Sequence, residues 1–86
     1  MENYEKELSR LKPNDEVIGT KEIEDNKQRT WNFITTAGHG YLIVPKEDKF
    51  YNVAKSIVEY GFKGDLAIYL EEDCEIDEFI NKINQY

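Results

Sequence analysis

Apolar residues change their spacing several times along the chain, and each change marks a predicted element. Tyr4, Leu8 and Leu11 stand at i, i+4 and i+7. This is one helical face and Pro13 stops it, which predicts a short amphipathic helix over about residues 3–12. From Glu16 to Glu24 the residues Val17, Ile18, Thr20 and Ile23 read as a strand with Gly19 as its weak point. After the polar stretch Glu24-Asp25-Asn26-Lys27-Gln28, the segment from Arg29 to Ala37 alternates Trp31, Phe33 and Thr35 with Asn32, Ile34 and Thr36. It predicts a strand with one aromatic face. Gly38-His39-Gly40 then separates it from the apolar run Tyr41-Leu42-Ile43-Val44, so the two strands form a hairpin.

Beyond Pro45 the period returns to that of a helix. Phe50, Val53, Ala54, Ile57 and Val58 occupy i, i+3, i+4, i+7 and i+8, the strongest periodicity in the chain. Gly61, just past the last apolar turn, suits a left-handed C-terminal position. Leu66 to Leu70 form a strand of the buried type. Ile76, Phe79, Ile80 and Ile83 then give a last amphipathic helix with Asp73 as its expected N-cap, placing Glu75, Asp77 and Glu78 in the first turns, where the helix dipole favours acids.

The predicted order is α-β-β-β-α-β-α in a single domain over residues 1–86. It implies an α+β fold with a small, mostly antiparallel sheet of about four strands and helices packed on one face. The helical crossover before the last strand also allows that strand to pair parallel to a hairpin strand. Eighty-six residues leave room for one core.

Cys74 and His39 are the only residues of their kinds, so no internal disulfide can form and a Cys/His zinc site lacks ligands. No metal or cofactor is expected. No run approaches the ~20 apolar residues of a membrane helix and the first residues lack a signal peptide's apolar core, so a cytoplasmic protein without membrane association is expected.

Charge is unevenly placed. Of the net −7, the segment from Asp65 onward carries seven acids against Lys82 alone, a balance of −6, while residues 1–64 hold eleven acids and ten bases. Direct nucleic-acid binding is disfavoured, because clustered Lys and Arg are missing.

Three groupings offer chemistry. Gly38-His39-Gly40-Tyr41 presents the lone imidazole at a turn where backbone can approach a ligand, or is a plain turn whose glycines supply positive φ. Cys74 lies among Glu72, Asp73 and Glu75, whose charges oppose the effect of a helix start on its thiol, so it reads as a buried or semi-buried small residue. A Cys74/His39 dyad needs two distant segments to meet. The run Glu71 to Glu78 lacks the glycine and oxygen spacing of a calcium loop. It is either a solvated face with helix capping or a surface for a basic partner. Trp31 and Phe33 are expected in the core, while Tyr41, Tyr51, Tyr60, Tyr69 and Tyr86 offer amphipathic surface of the kind favoured in interfaces.

Ala37-Gly38-His39-Gly40-Tyr41-Leu42-Ile43-Val44-Pro45 and Ile68-Tyr69-Leu70-Glu71-Glu72-Asp73-Cys74 together resemble a pattern in short, uncharacterised proteins of phages and bacterial mobile elements. These segments cover about a fifth to a quarter of the chain. The resemblance implies a prokaryotic accessory protein, of a size and charge similar to inhibitors of host defence. The chain departs from a strongly acidic DNA mimic, since its first 64 residues are nearly balanced.

The sequence therefore points to a non-enzymatic module that docks on a protein partner with a basic surface through Glu71, Glu72, Asp73, Glu75, Asp77 and Glu78. The alternative is a small-ligand binder built on Gly38, His39, Gly40 and Tyr41. Catalysis by His39 with Cys74 or a carboxylate is the third reading and has no supporting motif.

Overall fold

The computed structural model describes residues 2–86. Its elements are α1 (Glu2–Leu11), β1 (Val17–Glu24), β2 (Thr30–Thr36), β3 (Gly40–Pro45), α2 (Tyr51–Ile57), β4 (Phe62–Lys63), β5 (Ala67–Glu71) and α3 (Glu75–Ile83). The strands form one sheet in the order β1-β2-β3-β5-β4, and every neighbouring pair is antiparallel. The α+β class and the β2–β3 hairpin are as expected, with a fifth strand added.

That strand, β4, explains why the last long strand pairs antiparallel. The crossover through α2 delivers the chain to β4 at the sheet edge, and a tight turn then sends β5 back between β4 and β3. Two residues between Gly61 and Gly64 are too few to show a period.

The helices divide between the faces. Trp31, Phe33, Leu42, Val44, Ile68 and Leu70 meet Phe50, Ala54 and Ile57 of the α2 segment and Phe79 and Ile83 of α3. Ile34, Tyr41, Ile43, Ala67 and Tyr69 point the other way, against Leu8 and Tyr4 of α1. The one-face expectation thus holds for α2 and α3 and is corrected for α1. The physical reason is that β3 and β5 are apolar on both faces, so the second face needs its own cover.

The glycines act by close approach. Among the described residues no glycine has positive φ, which corrects both the left-handed position expected at Gly61 and the positive φ expected at Gly38 and Gly40. Helix α2 ends instead with Val58 extended (φ −61°, ψ 128°). A Cβ at Gly40 would overlap the Phe33 ring, and one at Gly64 would overlap the Glu7 carboxylate.

Among the described residues, positive φ occurs at Gln28, at 64°, in the β1–β2 turn. This turn is closed by Asp25, which accepts from the Lys27 and Arg29 amides and the Arg29 guanidinium. Lys27 and Arg29 in turn donate to carbonyls at the end of α3, where the helix dipole favours cations. Because Gln28 is exposed and left-handed backbone costs a side-chain-bearing residue about 1–2 kcal/mol, Gln28→Gly is expected to raise the unfolding free energy by about 0.5–1 kcal/mol in urea denaturation.

Candidate functional site

Strand β5, the first turn of α3 and the β2–β3 turn meet at one end of the sheet. Tyr41 pairs with Glu71, the Glu72 amide donates to the Gly40 carbonyl at 2.9 Å, and His39 Nδ1 stands 4.0 Å from Glu71 Oε1. The glycine-flanked turn and the acidic run, some thirty residues apart in sequence, are therefore one surface.

Within the acidic run the structure separates two roles. Glu75 is 3% exposed, so it leaves the predicted binding set. Its carboxylate accepts four backbone N–H groups, from Glu59 at 2.6 Å, Tyr60 at 2.5 Å, Gly61 at 3.1 Å and Glu71 at 3.1 Å. It braces the α2–β4 loop against the end of β5. A signal for this was present: Glu75, Phe79 and Ile83 stand at i, i+4 and i+8, the buried stripe of α3.

Glu72, Asp73, Asp77 and Glu78 are exposed and Glu71 is half-buried. Among the described residues, none of Glu72, Asp73, Asp77 and Glu78 has a Lys or Arg nitrogen within 4 Å. The N-cap of α3 is Cys74 rather than Asp73, and no side chain caps the helix. The Asp73 amide instead donates to Glu71 Oε1 at 3.3 Å. Cys74 is exposed rather than buried, because its position outside the helix stripe faces solvent.

The turn is already satisfied. The Gly38 amide donates to Asp15 Oδ1 at 3.0 Å and the His39 amide to Thr36 Oγ1 at 3.0 Å. Tyr41 is 1% exposed, and its hydroxyl accepts from Lys12 Nζ at 3.4 Å. The Gly38 and His39 amides that a ligand at this turn would need are thus engaged, while the His39 side chain itself is exposed. A depression of about 760 Å³ runs along α1 and includes none of these residues.

Of the five tyrosines expected at the surface, Tyr41 and Tyr69 are buried, because both fill the space between the sheet and α1. Tyr60 and Tyr86 are 64% and 72% exposed. The Tyr60 amide bond to Glu75 places its backbone next to the start of α3.

A second buried carboxylate repeats the device on the other face. Glu7, 2% exposed, accepts from the Asp65 amide at 2.6 Å, the Leu66 amide at 3.1 Å and the Tyr69 hydroxyl at 2.7 Å. Among the described residues no buried side-chain nitrogen or oxygen lacks a partner. Asp15 is tied in the same way, and the Thr36 hydroxyl, the Gly38 amide and Lys12 hold its carboxyl below the usual carboxylate range. Burial works to raise Asp25, yet its bonds from Arg29 and Lys27 outweigh this and hold it low too.

These shifts set two pH limits. A depressed carboxyl adds stability above its unfolded pKa of about 4, and that stability is lost as pH falls through the lower folded value. Unfolding free energy is therefore expected to drop below about pH 4, less steeply in Asp15→Asn. Burial and then Glu7 push the Tyr69 hydroxyl upward, so its contribution is present below about pH 10 and declines above it. Urea unfolding across pH checks both limbs.

No family model, curated protein sequence or solved structure matches the chain.

Proposed function

We propose that this protein is a non-enzymatic interaction module that docks a basic protein surface onto Glu71, Glu72, Asp73, Asp77 and Glu78, with Tyr60 as an aromatic contact at the margin. The observation that carries the reading is the split among the acids. Among the described residues, buried carboxylates are hydrogen-bonded, whereas four at this end stand exposed with no Lys or Arg nitrogen within 4 Å. Such a strip steers a positively charged partner and supports fast association. An exposed tyrosine beside it supplies rigid, amphipathic area of the kind enriched in interfaces.

The resemblance to short phage and mobile-element proteins extends this reading to a cytoplasmic accessory protein that binds and inhibits a host protein, including one of host defence. Among the described residues, no helix is long and apolar enough to cross a membrane.

The test is capture from a bacterial lysate at low and high salt, using the native chain and the variant Glu72→Gln/Asp73→Asn/Asp77→Asn/Glu78→Gln, with Glu75 left in place. A protein held by the native chain at low salt and released by salt or by the substitutions is the expected result, since screening acts over about 8 Å at physiological ionic strength. Equal capture by both chains at both salt levels would contradict it.

A further inference from the structure

Strand β1 lies at the edge of the sheet, with β2 on one side and, among the described residues, no strand on the other. Its eight residues make it the longest strand, against two in β4 at the opposite edge. The hydrogen-bond phase of β1 follows from its turn. The Asp25 amide donates to the Arg29 carbonyl at 2.9 Å, and the register continues as Glu24↔Thr30, Ile23↔Trp31, Glu22↔Asn32, Lys21↔Phe33 and Thr20↔Ile34.

Antiparallel pairs alternate between bonded and non-bonded, so Ile23 and Lys21 bond to β2 while Glu24, Glu22 and Thr20 turn their amides and carbonyls outward. The β2–β3 ladder confirms the phase. The Thr36 amide bonds the His39 carbonyl, so Ile34 and Asn32 point toward β3 and away from β1. Thr20, Glu22 and Glu24 are also exposed in their side chains, and all three share the α1 face of the sheet. Neither Glu22 nor Glu24 has a cation within 4 Å among the described residues.

The geometry points to β1 as a second docking site, independent of the acidic strip, that accepts an extended segment of a protein partner as a sixth strand. The added strand bonds through Thr20, Glu22 and Glu24 and carries Lys or Arg at alternate positions to face Glu22 and Glu24. Residues directly opposite each other in an antiparallel pair share a face, so spacing of two places both cations beside both carboxylates.

A second copy of this chain fits poorly. Pairing two β1 strands about Lys21 sets Lys21 against Lys21, about Glu22 sets Glu22 against Glu22, and about Ile23 sets Glu22 against Glu24. Pairing about Thr20 runs into Ile18 at the irregularity between Val17 and Gly19. These like charges are a known defence of edges against their own kind, and they leave a basic strand as the complementary occupant.

The experiment follows amide hydrogen exchange of the isotope-labelled full chain by NMR, alone and with the capped peptide acetyl-Lys-Thr-Lys-Val-Lys-Thr-amide. In the free chain, Thr20, Glu22 and Glu24 amides exchange fast and Lys21 and Ile23 amides slowly. When about nine-tenths of the chain is occupied, the three fast amides slow about tenfold. The same peptide with Glu in place of Lys has no effect on the native chain and protects the Glu22→Lys/Glu24→Lys variant. Three results would overturn the proposal. One is absence of protection at these amides, including peptide shifts confined to Glu72, Asp73, Asp77 and Glu78, which would leave the strip reading standing. The second is equal protection by both peptides. The third is protection without peptide that grows with protein concentration, which would mean self-pairing.

Discussion

Glu75→Ala is expected to lower the unfolding free energy by about 2–4 kcal/mol. The side chain is buried and accepts four backbone amides from two segments. Its removal leaves these donors with only the water that can reach the loop, at a cost of about 1–3 kcal/mol for each amide that stays dry. Because Glu59 and Tyr60 are exposed residues and Gly61 is half-buried, water reaches this loop and the sum is expected to fall well below four full penalties. Glu75→Gln keeps one oxygen as acceptor and turns the other into a donor facing donors, so its loss should be nearly as large. Urea denaturation of the three chains checks the order. A loss below about 0.5 kcal/mol for Glu75→Ala, the range of an ordinary surface substitution, would mean that the carboxylate braces nothing.

Gly61→Ala is expected to cost as much or more. A Cβ there would overlap the Tyr69 carbonyl oxygen, with the Glu75 carboxylate 3.0 Å away on the same side. The first obstacle is backbone of a central strand, which cannot turn aside as a side-chain tip can. Either the β4–β5 pairing opens or the loop leaves Glu75, and both release the α2–β4 connection, at a cost of about 3 kcal/mol or more. Gly38→Ala is the control: its Cβ would meet only the Asp15 carboxylate, at 3.8 and 4.0 Å, ordinary contact, and its effect should stay within about 1 kcal/mol. Thermal unfolding of both variants decides between close approach and backbone freedom as the reason for Gly61.

What was legible in the sequence, and what was not, follows from this division between periodicity and tertiary contact. Helices α2 and α3 and the hairpin of β2 and β3 declared themselves through apolar spacing, because each has one face that must leave water. Trp31 and Phe33 were correctly expected in the core, where Trp31 packs edge-on against Phe79 with ring centres 5.5 Å apart. Strand β4 carries too few residues for any period. The face taken by α1 depended on Ile34, Ile43 and Tyr69, whose apolar character says that they are buried without saying under what.

At the candidate site the same limit applies to charge. Glu75 reads as one more acid among Glu71, Glu72, Asp73, Asp77 and Glu78 until its phase with Phe79 and Ile83 is weighed. Glu7 likewise sits beside Leu8 and Tyr4 on the inner side of α1, whereas Leu11 of the same sequence stripe is exposed. A carboxylate on an apolar stripe, facing a loop of glycines, signals backbone amides to be bound, since a buried charge must be satisfied. The adjacency of His39 and Glu71 had no such signal, because it depends on the β3–β5 register.

The measurement that bears most directly on the acidic strip is the affinity of the captured partner, purified, for the native chain and for Glu72→Gln/Asp73→Asn/Asp77→Asn/Glu78→Gln across a salt series, with urea unfolding to show that the variant is folded. The account predicts that the native chain binds about tenfold or more tightly than the variant at low salt and that the two converge as salt rises. Equal affinity of the two folded chains throughout the series would contradict it and leave these four carboxylates as a solvated face.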